Sequence, residues 1–319
     1  MKLTSFRKAA TVTAIAALVA TGTAGCNRTP AGEADRPTVV LSLSTLNNPF
    51  FVELRDGATA EAKKQNVDLE IVDAQNDSAT QANQLATAAS TADAVILNAV
   101  DSDAAGPAAK ALNEADVPIV AVDRAVNGAD VASFVASDNV AGGEQAAKAL
   151  AEAIGEKGEV IVLQGVAGTS ASRDRGEGFT KGISAYPDMT VVAQQTANFD
   201  RATALDVTTN LLQAHPNAVG VFAENDEMGL GAIQALGSRA GSDVQVAAFD
   251  GTEDGLKAIE AGTLSSTIAQ QPAELGALAV DQAVKAVKAV NGGSGDEGPS
   301  DQAVEVITVT KENVGDFTE

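Results

Sequence analysis

Eight polar side chains of this chain fall at one kind of place. Asn98, Asp123, Arg124, Asp138, Gln164, Asn225, Asp250 and Gln270 each stand at or near the C-terminal end of a short apolar run. An ionised carboxylate only accepts hydrogen bonds, a guanidinium only donates them from a fixed fork, and an amide does both. In open α/β sheets a ligand lies just beyond the carboxyl ends of the strands. Two lobes whose carboxyl edges face each other would gather these groups around one cleft. Taken singly, an Asp or Asn after a strand is a turn residue or a helix cap. That reading strains to explain two arginines, Arg124 and Arg175, and the adjacent pair Phe50–Phe51 in the same set of loops.

Other chemistry is poorly supported. His215 is the only histidine, in Ala214-His215-Pro216-Asn217 just past a helical stretch, where a turn role is expected. A transition-metal site needs partners that it lacks. Gly165-Val166-Ala167-Gly168-Thr169-Ser170 resembles a phosphate loop without its Gly-Lys-Ser/Thr. Asp73 to Asp77 lacks the Gly and closing Glu of a calcium loop. No nucleophile–base pair is poised for catalysis, so neither an enzyme, a cofactor nor a metal is expected.

The elements that must carry these residues alternate. β-branched runs over Thr38–Ser44, Leu69–Ala74, Ala94–Val100, Pro118–Arg124, Ser133–Asp138, Glu159–Gly165, Thr190–Thr196, Ala218–Asn225, Val244–Gly251, Ser265–Gln271 and Val304–Thr310 read as strands. Helical spacing marks Phe51–Gln65, Ala79–Ser90, Ala105–Glu114, Gly142–Ile154, Gly176–Ala185, Ala202–Ala214, Glu227–Leu236 and Glu274–Val290. Strand–helix alternation predicts parallel sheets covered on both faces. About eleven strands are too many for one sheet, so two α/β lobes are expected. Asn48 before Pro49 predicts an N-cap followed by a first-turn proline. Asn291-Gly292-Gly293-Ser294-Gly295 predicts a surface loop.

The totals agree with two lobes: 319 residues, 45% hydrophobic but only 3% aromatic, so the cores are aliphatic. A net charge of −22 argues against a nucleic-acid partner. The first 25 residues differ from the rest, with a basic start at Lys2, Arg7 and Lys8 and an apolar run from Ala9 to Ala20. That run is too short to span a bilayer and reads as a secretory signal peptide. It ends at Thr23-Ala24-Gly25-Cys26, which resembles a bacterial lipobox, with Cys26 as the lipidated residue and 26–37 as a polar tether.

Finer matches narrow the reading. Ser44-Thr45-Leu46-Asn47-Asn48-Pro49-Phe50-Phe51 opens a series continued by Asp123-Arg124, Ala136-Ser137-Asp138-Asn139, Leu163-Gln164-Gly165 to Gly168-Thr169-Ser170-Ala171 and Arg175-Gly176-Glu177-Gly178-Phe179. It ends with Phe199-Asp200-Arg201, Ala214-His215-Pro216, Asn225-Asp226-Glu227-Met228, Phe249-Asp250-Gly251-Thr252 and Thr267-Ile268-Ala269-Gln270. This series, from about Val39 to Val309, resembles the bacterial D-ribose-binding proteins, the solute-binding components of ABC importers in the type I periplasmic binding protein family. The resemblance implies two Rossmann-like lobes with parallel sheets, 38–137 plus 271–302 and 138–270 plus 303–319. It also implies a three-segment hinge near Ser137–Asp138, Gln270–Gln271 and Gln302–Val304, with the ligand cleft between the lobes. It implies a ligand set of Asn48, Phe50, Phe51, Asp123, Arg124, Arg175, Phe199, Asn225, Asp250 and Gln270.

The chemistry of that set suits a monosaccharide. Sugar hydroxyls donate and accept, which Asp123, Asp250, Arg124, Arg175, Asn48, Asn225 and Gln270 can match. The apolar C–H faces of the ring call for flat surfaces, and Phe50, Phe51 and Phe199 would spend three of nine phenylalanines on one site. The expectation is an extracytoplasmic lipoprotein, a monomer. It captures D-ribose and presents it to a membrane ABC permease, with a chemotaxis receptor as a further candidate partner. The alternative ligands are allose, another pentose or a furanose signal molecule. A repressor with a related effector domain would need a helix-turn-helix where the signal peptide stands.

Overall fold

The computed structural model describes residues 36–292 and 298–317. The expected signal peptide, Cys26 and most of the tether lie outside the described residues, as does the centre of the Gly-rich loop. Twelve strands form two six-stranded sheets among the described residues. The first sheet is built from β1 (Thr38–Leu43), β2 (Asp68–Asp73), β3 (Ala94–Leu97), β4 (Ile119–Val122), β5 (Ser133–Ser137) and β11 (Gln302–Val304). Its order is β11-β5-β4-β3-β1-β2, and every pairing is parallel. The second sheet contains β6 (Lys157–Gln164), β7 (Asp188–Thr196), β8 (Ala218–Ala223), β9 (Gln245–Asp250), β10 (Ser266–Ala269) and β12 (Ile307–Thr310). Its order is β12-β10-β9-β8-β6-β7, parallel except for the edge strand β12.

Among the described residues nine α-helices cover the sheets: α1 (Pro49–Lys64), α2 (Ser78–Thr91), α3 (Gly106–Glu114), α4 (Asn139–Ile154), α5 (Ser170–Ile183), α6 (Arg201–Ala214), α7 (Asp226–Leu236), α8 (Glu253–Ala261) and α9 (Pro272–Val290). Period-two packing is visible on both faces. Ile96, Val120 and Val122 of the first sheet pack with Leu54, Leu275 and Val280 from α1 and α9. Val95, Leu97, Ile119 and Ala121 pack with Leu85 and Leu112 from α2 and α3. Strands buried on both faces must be continuously apolar, as these runs are. Each fully buried Val, Leu or Ile contributes about 1.5–3 kcal/mol relative to exposure. The second sheet repeats the scheme, with Ile161, Val221 and Val246 on one face and Val160, Phe222 and Phe249 on the other.

The chain crosses between the sheets after β5, after β10 and after β11. The run expected as one strand over Val304–Thr310 is instead two. Val304 ends β11 in the first sheet, Glu305–Val306 carries the crossing, and β12 runs antiparallel in the second. A single apolar run does not reveal that its ends pair with different sheets. The structure adds α8, which the helix readings passed over. Its start is local all the same, since Thr252 accepts from Gly255 N at 3.2 Å as N-cap and Glu253 and Asp254 occupy the first turn. Helix α5 begins at Ser170 rather than Gly176.

Candidate ligand-binding site

The ten residues of the expected ligand set all line one cavity of about 250 Å³, together with Ala171. Each is delivered by a strand end or the helix start beyond it. Asn48 caps α1 with its Oδ1 accepting from Phe50 N at 2.9 Å, which points the first turn of α1 at the cavity. Phe50 and Phe51 meet edge to face, with centroids 5.2 Å apart. Both rings also belong to the first-sheet core, so the core holds them rigidly. Asp123 and Arg124 follow β4. Asp123 has a φ of 63°, a left-handed turn that brings both side chains to the sheet edge. Asn98, after β3, donates to Asp123 Oδ2 at 3.0 Å from behind.

The opposite wall comes from the second sheet. Arg175 projects from α5 and donates from Nε to Asn139 Oδ1 at 2.8 Å and from Nη1 to the Glu224 carbonyl at 2.7 Å. Its guanidinium stacks 3.9 Å from the Phe249 ring centroid. Asn225 caps α7 through Oδ1, which accepts from Met228 N at 2.9 Å. Phe199 sits in the β7–α6 turn at a φ of 57°. Gln270, beyond β10, donates to Asp250 Oδ1 at 2.7 Å.

The charges balance in two buried pairs. Arg124 lies 3.5 Å from Asp123, and Arg175 lies 3.5 Å from Asp250, with all four side chains at most 5% exposed. Burial pulls the Arg124 guanidinium pKa down, opposed by the Asp123 charge. Burial pushes the Asp250 carboxyl well above the usual range, opposed chiefly by Arg175. Arg124 also faces the Phe51 ring at 5.3 Å and the Phe199 ring at 5.6 Å. Three buried atoms of the lining, Arg124 Nε, Asn225 Nδ2 and Gln270 Oε1, have no hydrogen-bond partner among the described residues. Buried polar groups are normally partnered. Two donors and an acceptor so placed, between phenyl faces, are matched by a small molecule with many hydroxyls.

Three strand-end residues do not line this cavity. Asn98 stands behind Asp123, Gln164 lies outside the cleft lining, and Asp138 caps α4 by accepting from Ala141 N at 3.0 Å. His215 caps α6, its N–H donating to the Leu211 carbonyl at 2.8 Å. Asp77 caps α2, and Asp73 accepts from Gln75 N. Asp226, in the first turn of α7, has a buried carboxylate that accepts from Thr252 N, Thr252 Oγ1 and Thr267 Oγ1, holding the turn after Asp250. Sequence reasoning missed Asn139 as the brace of Arg175, though it lies in the quoted Ala136–Asn139 segment.

Loops of the two halves also touch beside the cavity. Ser102 N donates to Gly168 O at 3.0 Å, Ser170 N to Ser102 Oγ at 3.2 Å, and Ala125 N to Ser170 Oγ at 2.8 Å. The two halves are therefore in direct contact through these loops. The Gly165–Ser170 segment supplies these contacts.

Two α/β lobes with a polar, phenyl-walled cavity between their carboxyl edges define a hinged solute receptor. The chain belongs to the periplasmic binding protein family, whose domain description matches residues 39–291. It is 45% identical over 285 residues to the ribose import binding protein of Escherichia coli, covering 89% of this chain and 94% of that protein. It is 34% identical over 309 residues to a xylitol-binding protein of Mycolicibacterium smegmatis, covering 94% and 86%. An ABC transporter solute-binding protein of Bacillus halodurans solved with bound myo-inositol superposes with a TM-score of 0.82 at 32% identity, covering 90% and 99%. One from Actinobacillus succinogenes with bound D-allose gives 0.80 at 34%, covering 88% and 100%. These are binding proteins, and this chain is a binding protein rather than an enzyme. Membership implies a place outside the cytoplasmic membrane. Among the described residues no helix is long and apolar enough to cross a membrane.

Proposed function

We propose that the protein captures D-ribose by closing its two lobes and delivers it to an ABC permease, held at the membrane by a lipid on Cys26. The observation carrying this is that one cavity of about 250 Å³ gathers all ten residues of the expected set. In the binding arrangement Asp123, Asp250, Arg124, Arg175 and the three amides take the hydroxyls, while Phe50, Phe51 and Phe199 cover the C–H faces. Acid and guanidinium neutralise each other pairwise, which limits the cost of burying them. The lobes comprise 38–137 plus 271–302 and 138–270 plus 303–319, and closure is a population shift driven by contacts available when both meet. The protein acts as a monomer, and a chemotaxis receptor is a further candidate partner.

A second reading keeps the role and changes the sugar. The neighbours solved with D-allose and myo-inositol, at 34% and 32% identity, favour testing it. Titration calorimetry of the body lacking residues 1–26 against pentoses, hexoses and polyols decides: ribose is expected to bind most tightly, and a tighter allose, xylitol or inositol would reassign the ligand. Palmitate labelling of the full chain, lost in Cys26→Ser, checks the anchor.

A further inference from the structure

Asn225 is flanked by Glu224, whose side chain does not line the cavity. Glu224 is fully buried, and its Oε2 accepts from Gly165 N at 2.7 Å and from the Ser172 hydroxyl. Ser172 Oγ itself lies 3.1 Å from Gly165 N, so the three groups form a closed clasp. Each end of the clasp bears on a proposed sugar contact. Gly165 is the bed of Phe199: a Cβ there would stand 2.0 Å from the ring. Its carbonyl accepts from Thr196 Oγ1 at 2.5 Å, which anchors the turn leading to Phe199. Ser172 lies one helical turn before Arg175 on α5, and residues three apart share a helix face. The carbonyl of Glu224 takes Arg175 Nη1 directly.

We propose that Glu224 is a positioning residue for the sugar cavity, its carboxyl clasping Gly165 and Ser172 so that the Phe199 ring and the Arg175 guanidinium hold their places. The inference rests on the sugar-binding reading above. Glu224 Oε1 has no hydrogen-bond partner among the described residues, so a surface-type ion pair does not explain the residue. Burial pushes its carboxyl up to about 7 against the pull of Ser172, Gly165 and the nearby Arg175 charge, which is the cost of placing an acid there. A neutral amide oxygen in the same place would accept both bonds, and this separates clasping from charge.

The test is calorimetric titration of D-ribose into Glu224→Ala, Glu224→Gln and Glu224→Asp, and into Glu224→Ala combined with Phe199→Ala. Loss of the clasp is expected to weaken ribose about tenfold in the Ala variant. The Gln variant is expected to restore binding to within about threefold of wild type, because the acceptor returns. In the Phe199→Ala background the Ala change is expected to cost less than it does in wild type, since only the Arg175 arm of the clasp remains to be lost and residues acting through one another are non-additive. Wild-type affinity in the Ala variant, or the full loss persisting without Phe199, overturns the proposal. If the Ala variant does not fold, Glu224→Asp serves: its shortened arm withdraws from Gly165, and undiminished affinity there overturns it equally. Should wild type bind another sugar, the same series is run with that sugar. Wild type binding no sugar removes the reading and the proposal together, an outcome distinct from variants that match a binding wild type.

Discussion

Arg124 and Arg175 are both buried beside an aspartate, yet their bracing differs. Arg175 spends two nitrogens on Asn139 and the Glu224 carbonyl, whereas Arg124 donates from Nη1 to the Ala99 and Val100 carbonyls and its Nε, 3.5 Å from Asp123, makes no hydrogen bond among the described residues. Truncation of Arg175 to Ala leaves the Glu224 carbonyl without its guanidinium donor and buried Asp250 without its opposite charge, and ribose binding is expected to weaken by about 2–5 kcal/mol in calorimetry. Unchanged affinity would remove Arg175 from the site. The buried acids make a second prediction. Glu224 is raised from 4.5 to about 7 and Asp226 from 3.8 to about 6, both by burial. In the unfolded chain these groups lose their protons at lower pH than in the fold. The native state therefore binds more protons between roughly pH 4.5 and 7, and stability falls as pH rises through that window. Glu224→Gln lacks this penalty. Its stability relative to wild type is expected to improve by about 1–3 kcal/mol from pH 5 to pH 8, read by urea unfolding at both. A difference that stays flat with pH would mean that Glu224 titrates normally.

At the scale of elements, helix pairs set the cavity walls through close backbone approach. Helices α4 and α5 cross where a Cβ on Gly178 would stand 2.0 Å from the Val140 carbonyl and one on Gly143 would stand 2.3 Å from the Arg175 carbonyl. In the other lobe a Cβ on Gly276 of α9 would stand 2.1 Å from the Leu54 carbonyl of α1. Backbone cannot yield as a side-chain tip can, so the helices must separate. Gly178→Ala is expected to cost about 1–3 kcal/mol of stability and to weaken ribose as well, since α5 carries Arg175. Gly128→Ala, on an open turn, serves as control for glycine replacement as such, its cost there arising from its φ of 76° alone. Equal affinities in Gly178→Ala and wild type would separate α5 packing from the site.

For the whole molecule, the measurable property is closure. Ser102, Ala125, Gly168 and Ser170 hydrogen-bond across the cleft, and these bonds form only when the loops meet. Ser170→Ala deletes the acceptor for Ala125 N, and weaker ribose binding by about 0.5–1.5 kcal/mol is expected, the net worth of one such bond. An unaltered affinity would mean that this bond forms equally well in the open form. Ligand linkage predicts a further whole-molecule effect. Ribose at 100 times its Kd is expected to stabilise the fold by about 2.7 kcal/mol, visible as a raised Tm. No shift with ribose beside a clear shift with another sugar would move the substrate.

Much of this was legible in sequence for a local reason. Strand and helix runs are set by residue period and by a cap such as Asn48 before Pro49, and eleven strand runs and eight helices are legible from them, with β11 and β12 still joined as one run. The ten cavity residues came from motif resemblance, which carries three-dimensional information that period and composition lack. Tertiary structure alone decided the rest. It set which sheet each end of Val304–Thr310 would join, that Gln164 and Asp138 would miss the cavity, and that Glu224 and Asp226 would turn inward as clasps rather than outward as solvated acids. Burial and partnership are properties of two segments meeting, as when Glu224 meets Gly165, 59 residues earlier in the chain. No local pattern of residue types encodes such a meeting.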